Sequence, residues 1–596
     1  MYSNRPFFGS RKRSRFINRT LKPALDYILL LILFLGLLRT IFVLGFTENP
    51  DIDDFRLYKE YIAIIFLFYI FRVFIGLGFK SFTRDFSVYI LISLFLLATF
   101  LITGKDIRWL NNQYYYALVI LVLFIFELSR FDISKITLAL NPAQLFMLSF
   151  TFLIVTGAAL LSLPNATTSP LTIVDALFTS TSAVCITGLV VVDTATHFTT
   201  LGKGIILLLM HIGGIGILTF SSFFGFFFKG GTTSFSQRFV LSDFLSDDNI
   251  SEIRKTLAKV IFIMFLFEAI GALFIFFSLD HLHFPEIGSR IKFSVFHSIA
   301  AFCNAGFSTL SDGIQDHRLS GNYPLLYILS FLVIFGAIGF PILLNLYTYV
   351  KFKLTGLVSV IMRKKKKMVK PMLISVNSRF VIYTSLFLIA GGTLFFFIFE
   401  KNNTMTGMDL SGKIAHSFFN SVAPRSGGYS SLNIPGLSIP AIFLFIFLMW
   451  IGGSPVSTAG GIKTSTFAIA MMNVLRIARM KNHIEFNRRE IHEASVDRAF
   501  AIISFSIVIL GCSSLIMYLL EPEIGVLKIV FECVSAFGTV GLSLGITPHV
   551  TDVSKLLLII LMFIGRMGIL TLLFAVVTRS KSTTVYRYPK EKILIT

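Results

Sequence analysis

Four short stretches of this chain share one pattern and recur at nearly constant intervals. Residues 178–189 read F-T-S-T-S-A-V-C-I-T-G-L, residues 296–307 F-H-S-I-A-A-F-C-N-A-G-F, residues 418–429 F-F-N-S-V-A-P-R-S-G-G-Y, and residues 531–547 F-E-C-V-S-A-F-G-T-V-G-L-S-L-G-I-T. Each is an aromatic or apolar half-helix, a polar kink, a glycine and then a bulky apolar residue. The glycines Gly188, Gly306, Gly428 and Gly541 are spaced by 118, 122 and 113 positions. Near-equal spacing identifies an internal repeat, so the fold must be built from four like units.

Each loop lies between two long apolar spans: 142–163 and 202–228, 256–279 and 323–350, 380–399 and 439–472, 499–520 and 554–577. Every span reaches or exceeds the roughly 20 apolar residues a helix needs to cross a bilayer. Residues 21–46, 61–78, 86–103 and 114–126 supply four further candidates. Only 14% of residues are charged and 55% are hydrophobic, whereas a soluble domain is closer to a quarter charged. The expected fold is an all-α polytopic membrane protein with four helix–pore loop–helix units in pseudo-fourfold arrangement and about four extra N-terminal helices. The expected divisions are 1–135 for the peripheral helices, 136–579 for the pore (units 136–240, 241–365, 366–490 and 491–579), and 580–596 for a tail.

A net charge of +21 invites a nucleic-acid reading, but its distribution argues against one. Basic clusters lie between spans, at residues 11–15, 229–238, 351–370, 476–489 and beyond 579. The positive-inside rule makes these cytoplasmic and places the four loops outside, with both termini inside. The basic start is followed by a long span with no cleavage signal, which reads as an anchor. Arg39 and Arg72 lack the every-third-residue ladder of a voltage sensor and read as paired or snorkelling charges. The four cysteines lie in apolar context with neither disulfide nor metal-ligand spacing.

A cation crossing lipid must exchange its water shell for something equally polar, and a ring of main-chain carbonyls supplies that without burying a charge. Irregular backbone at membrane depth survives only in packed protein or along a wet path. Glycine permits positive φ, and a half-helix directs the negative end of its dipole inward. The expected cation ligands are carbonyls of Ile186, Thr187 and Gly188, of Asn304, Ala305 and Gly306, of Ser426, Gly427 and Gly428, and of Thr539, Val540 and Gly541. A second feature is the break in unit three, where Gly452, Gly453, Ser454, Pro455, Gly460, Gly461 and Lys463 interrupt a span with helix breakers. Arg566, near the middle of the last span, costs at least about 2.5–3.5 kcal/mol on insertion scales and should face inward. It is expected to contact the carbonyls of the broken segment, which would form a movable constriction beneath the loops.

Over residues 141–577 the sequence resembles the Trk/Ktr/HKT superfamily of potassium transporters, in particular the bacterial membrane subunit of TrkH/KtrB type. The motifs are Ile-Thr-Gly-Leu at 186–189, Asn-Ala-Gly-Phe at 304–307, Thr-Val-Gly-Leu-Ser at 539–543, G-G-S-P-V-S-T-A-G-G-I-K-T at 452–464 and G-R-M-G-I-L-T at 565–571. The resemblance implies potassium uptake across the bacterial cytoplasmic membrane, a pseudo-fourfold pore in each chain, a homodimer, an intramembrane gating loop and a separate cytosolic nucleotide-binding regulatory subunit of RCK/KTN type. No covalently bound cofactor is implied, and potassium is the transported ion. Loop three departs from the family's Thr-Arg-Thr-Ala-Gly-Phe; proline at position 424 and an extra glycine are expected to loosen that quadrant.

Lys463 follows Ile462 rather than glycine, so the stretch is no phosphate-binding loop, and no hydrolytic site is evident. The chain therefore reads as no enzyme. The rivals are a sodium-permeable or sodium-coupled version of the same pore, a rocker-type secondary carrier, and a non-conducting sensor. A rocker predicts two related halves, which the four-unit period disfavours.

Overall fold

A computed structural model describes residues 22–47, 52–78, 90–97, 113–128, 142–227, 253–280, 284–319, 321–361, 375–487 and 489–576. The basic clusters at 11–15, 229–238 and 364–367 and the tail beyond 579 lie outside the described residues. The peripheral region contains helices Lys22–Phe46, Ile52–Gly78 and Gln113–Leu128, with residues 90–97 also helical. Leu29, Leu33, Tyr58, Tyr69, Ile120 and Leu123 form its own core. Arg72 lies within that bundle, bonded to Glu127 at 2.8 Å and paired with Asp26, as expected of a compensated charge. Asn165 ties the bundle to unit one by donating to the carbonyls of Leu44 (3.1 Å) and Thr47 (2.7 Å).

Each unit is an outer helix, a buried half-helix ending in a loop, and an inner helix. The outer helices are Pro142–Leu161, Ile253–Ser278, Val376–Glu400 and Glu493–Leu520, and the half-helices are Ile173–Val184, Ile287–Phe302, Leu410–Val422 and Val526–Gly538. The half-helices start on defined caps in units one and three, where Thr172 accepts from Asp175 N–H and Asp409 from Gly412 N–H. Small side chains let those of units one, two and three sit close to their outer helices. Ser180 donates to Ile154 O at 2.7 Å, Ser298 to Glu268 O at 2.6 Å, and Ser421 to Ile389 O at 2.8 Å. Opposite these serines stand Gly157, Gly271 and Gly392, where a methyl group would fall within 2.5 Å of the hydroxyl.

The inner helix of each unit also packs on the half-helix of the next: one on two, two on three, three on four, and four back on one. The units thus close into a ring. Its outer surface is apolar, with Phe152, Phe277, Phe387 and Leu519 all exposed, as expected of side chains facing lipid.

The inner spans of units one, two and four differ from the sequence expectation of continuous crossings, while the break expected in unit three is present. Among the described residues, four unbroken helices are long and apolar enough to cross a membrane, at Leu25–Phe46, Ala258–Ser278, Asn377–Glu400 and Glu493–Leu520. The inner helix of unit two instead bends by 105° between Tyr323–Ile338 and Phe340–Leu354. That of unit one kinks at Gly216, that of unit four at Gly568 between Asp552–Met567 and Ile569–Val576, and that of unit three opens between Ile439–Trp450 and Thr464–Ala478. The physical reason is a repeated glycine pair. Gly213, Gly336 and Gly565 let the inner helix touch the half-helix carbonyls of Val184, Phe302 and Phe537, where a methyl would lie 2.2 Å or less from the oxygen. Three residues later, Gly216, Gly339 and Gly568 take φ of 69°, 95° and 81° and end the helical run.

Candidate functional site

The four loops begin as helix C-termini, whose last carbonyls need partners. In units one, two and four the chain supplies them in the same way. Ile186, Asn304 and Thr539 take φ of 57°, 59° and 47°, and their N–H groups donate to Ala183, Ala301 and Ala536. The next residues, Thr187, Ala305 and Val540, donate back to Ser182 (2.7 Å), Ala300 (2.7 Å) and Ser535 (2.9 Å). This is the paired closure by which a left-handed residue terminates a helix. The glycine that follows is left-handed again, at 83° for Gly188, 69° for Gly306 and 93° for Gly541. Alternating hand over three residues turns successive carbonyls toward the same side of the chain rather than to opposite sides. A left-handed non-glycine residue costs about 1–2 kcal/mol. Burial and the two closing bonds hold Ile186 and Thr539 there despite their β-branches.

The loops converge. A methyl at Gly188 would lie 2.3 Å from Ala305 O, one at Gly306 2.8 Å from Gly428 Cα, one at Gly428 2.5 Å from Val540 O, and one at Gly541 2.1 Å from Thr187 O. Read in order, these contacts form a closed cycle through all four units. The same four glycines line one cavity of about 320 Å³, together with Asp193, Asp312, Tyr429 and Ser543. Next to its lining residue Gln315, Asp316 accepts from Arg318 at 2.7 Å, and the guanidinium holds that carboxyl down to about 2.

Loop three is built differently. Eight residues separate Ser180 from Gly188 and Ser298 from Gly306, but seven separate Ser421 from Gly428. Measured from that serine, loop three is a residue shorter than loops one and two. The closing bond to Ala423 comes from Gly428 itself (3.3 Å), while Gly427 also donates to Ala423 (2.7 Å) and packs beneath Val333. Ser426 still takes a positive φ of 79°, and side chains replace the missing closure. Ser426 donates to Thr539 O at 2.9 Å and accepts from Gly460 N–H at 3.2 Å, and Tyr429 donates to Phe307 O at 3.1 Å. The quadrant expected to be loose is braced to both neighbouring loops.

Directly behind the loops runs the broken segment of unit three. Its two arms touch where Gly452 N–H donates to Ile462 O (2.9 Å), and a methyl at Gly452 would meet Gly460 O at 2.1 Å. Most of its remaining partners belong to other units. Ser454 N–H donates to Ala337 O (2.9 Å), Thr458 N–H to Gly336 O (3.3 Å) and Gly461 N–H to Gly565 O (3.3 Å), while Val456 O accepts from Phe340 N–H (3.1 Å). The inner-helix breaks of units two and four free these carbonyls, and the segment uses them. Arg566 completes the set by donating to Thr458 O and, at 2.6 Å, to Gly213 O of unit one. It is 4% exposed, and the contact expected of it with the broken segment is present. Lys463 donates to Ala459 O at 2.7 Å. A second cavity of about 260 Å³ lies on the far side, lined by Pro455, Gly461, Lys463, Arg566 and Gly568. It shares no lining residue with the first, and residues of the segment line only the second.

The four loop glycines meet in one cycle, and the break touches loop three through Gly460 and Arg566 through Thr458. Two features escaped the sequence reading: the glycine pairs of the inner helices and the cross-brace through Ser426. The pairs are visible as Gly-x-x-Gly at 213–216, 336–339 and 565–568, a signal that long hydrophobic runs conceal.

Comparison with known proteins agrees with this architecture. Residues 114–586 match the family described as TrkH, a cation transport protein. The chain is 34% identical over 473 residues to the potassium/sodium uptake protein NtpJ of Enterococcus hirae, covering 78% of this chain and 99% of that protein. It is 34% identical over 456 residues to the Ktr system potassium uptake protein B of Vibrio alginolyticus, covering 76% and 94%. The crystal structure of the potassium transporter TrkH from Vibrio parahaemolyticus has the same fold, with a TM-score of 0.58, 16% identity, and coverage of 88% of this chain and 98% of that one. The chain belongs to the TrkH family of cation transport proteins.

Proposed function

We propose that this chain takes up potassium across the bacterial cytoplasmic membrane through the four-loop ring, with the broken segment and Arg566 as its gate. The observation that carries the reading is the closed cycle of Gly188, Gly306, Gly428 and Gly541, with the Thr187, Ala305 and Val540 carbonyls directed at the adjoining loops. A monovalent ion held there exchanges water for main-chain oxygens and leaves no fixed charge buried. Asp193 and Asp312 at the outer cavity favour cations at its mouth. Below the ring, Arg566 and Lys463 oppose cation passage while the segment stays in place. The relatives named as potassium uptake proteins support the choice of ion.

The functional division follows the expected boundaries, with 136–579 as the pore and 1–135 as a peripheral bundle. The working assembly is a homodimer with a cytosolic nucleotide-binding subunit of RCK/KTN type, which acts by drawing the inner-helix segments away from the gate. Both termini are cytoplasmic. The short third loop, together with a relative named for potassium and sodium, favours one alternative, a pore that also passes or couples to sodium.

The test is rubidium influx into proteoliposomes, with and without an imposed sodium or proton gradient. Influx down the rubidium gradient, competed by potassium more strongly than by sodium, supports the reading. No influx under any gradient sinks it, and equal competition by sodium favours the alternative.

A further inference from the structure

Beside the ring, three side chains from separate elements meet inside the helix bundle. His211 is on the inner helix of unit one, two residues before Gly213. Glu268 is on the outer helix of unit two, and Cys303 caps the half-helix of unit two immediately before Asn304. One ligand atom from each lies within 4.8 Å of the others. His211 Nδ1 stands 3.4 Å from Glu268 Oε1, and Cys303 Sγ 3.8 Å from the same oxygen. Glu268 is 4% exposed and Cys303 fully buried, while the imidazole is 19% exposed with both of its ring nitrogens buried.

The Cys303 thiol donates to Glu268 Oε1, but the imidazole is left out of any such bond. A charge-assisted N–H···O bond spans about 2.7–2.9 Å, well short of 3.4 Å. Neither ring nitrogen of His211 has a hydrogen-bond partner. The spacing suits a different arrangement, in which all three face a common centre. Ligand atoms about 2.0–2.3 Å from a tetrahedral metal lie roughly 3.3–3.5 Å apart along the nitrogen–oxygen and oxygen–sulfur edges. The backbone makes room for it: a methyl at Gly214 would sit 2.6 Å from Cys303 Sγ. Imidazole, carboxylate and thiolate together select zinc or cadmium over magnesium or an alkali ion.

We infer that His211, Glu268 and Cys303 form a binding site for a thiophilic divalent cation, distinct from the path of the transported ion. Binding releases the thiol proton to solvent and leaves a fourth position for water. A metal there ties the inner helix of unit one, whose Gly213 carbonyl accepts from Arg566, to loop two at Asn304. On the transport reading above, and resting on it, that tie blocks flux.

The binding test does not depend on transport. The purified full-length chain is titrated with Co²⁺, which on thiolate ligation gives a near-ultraviolet charge-transfer band that Zn²⁺ displaces. The band is expected in the parent chain and in Cys512→Ser, and absent in Cys303→Ser. In His211→Ala and Glu268→Gln, the competing Zn²⁺ affinity should fall by at least about tenfold. Monodispersity in detergent checks folding, and if Cys303→Ser fails it, the other two variants decide. No band in the parent chain, or one unchanged in His211→Ala and Glu268→Gln, overturns the site. In proteoliposomes, Zn²⁺ should suppress rubidium influx of the parent chain but not of His211→Ala. A displaced cobalt band with undiminished influx would uphold the site and overturn the tie to flux.

Discussion

The loop ring and the broken segment are both irregular backbone in the middle of a membrane protein, yet they are held in opposite ways. Loops one, two and four draw their closing bonds from three to five residues back, within their own unit. The broken segment makes most of its main-chain bonds with the inner-helix breaks of units two and four, and it also accepts from Arg566, which reaches unit one. A locally closed loop keeps its shape when the units shift. A segment bonded across units feels every relative movement of them. The ring is thus suited to a fixed selective site and the segment to a moving part, because of where their hydrogen bonds go. Loop three stands between the two cases, since its Ser426 brace reaches both Thr539 and the segment at Gly460.

Substitutions can break this contrast. The largest effect is expected from Gly306→Ala, where a methyl would lie 2.8 Å from Gly428 Cα and φ is 69°. Strain of about 1–2 kcal/mol adds to the clash, and rubidium influx should be abolished while the protein remains monodisperse. Near-normal influx would mean that the ring is not the passage. Next is Arg566→Gln. Bonds to a charged group contribute about 1.5–3 kcal/mol each, so freeing the segment should raise basal influx by roughly 10- to 100-fold. Unchanged influx and regulation would remove Arg566 from the gate.

Ser426→Ala sharpens the comparison. It removes the brace of about 1 kcal/mol between loop three, loop four and the segment. Basal influx should rise about fivefold, with poorer discrimination between potassium and sodium in competition assays. An effect on neither would make the brace structural only. The smallest change is expected from Asp312→Asn at the outer cavity. The apparent KM for rubidium should rise by less than about threefold at low ionic strength, and the difference should vanish at high salt. A salt-independent change would point to distortion of the rim rather than lost attraction.

Much of this architecture was legible in the sequence. The four glycine loops revealed the period, the apolar spans the membrane, and the glycine- and proline-rich stretch the break in unit three. All rest on local chemistry, which a sequence displays directly. The kinks at Gly216, Gly339 and Gly568 stayed hidden because one glycine in a long apolar run looks like a tolerated helix residue. Only the half-helix carbonyl pressed against the glycine three positions earlier shows why the helix turns there. Loop three was misjudged for a related reason. Its proline and second glycine suggest a loose quadrant, whereas Ser426 and Tyr429 bond it to loops four and two. The Ser426 brace joins residues 34 and 113 positions apart, a partnership that no local pattern encodes.

The most direct measurement locates the ion itself. Protein prepared in thallium, a heavy stand-in for potassium, should give an anomalous peak inside the ring, between the carbonyls of Thr187, Ala305 and Val540 and those of loop three. Excess potassium should remove that peak. Thallium found only in the outer cavity beside Asp312, or a ring that stays unoccupied at saturating thallium, would contradict the account.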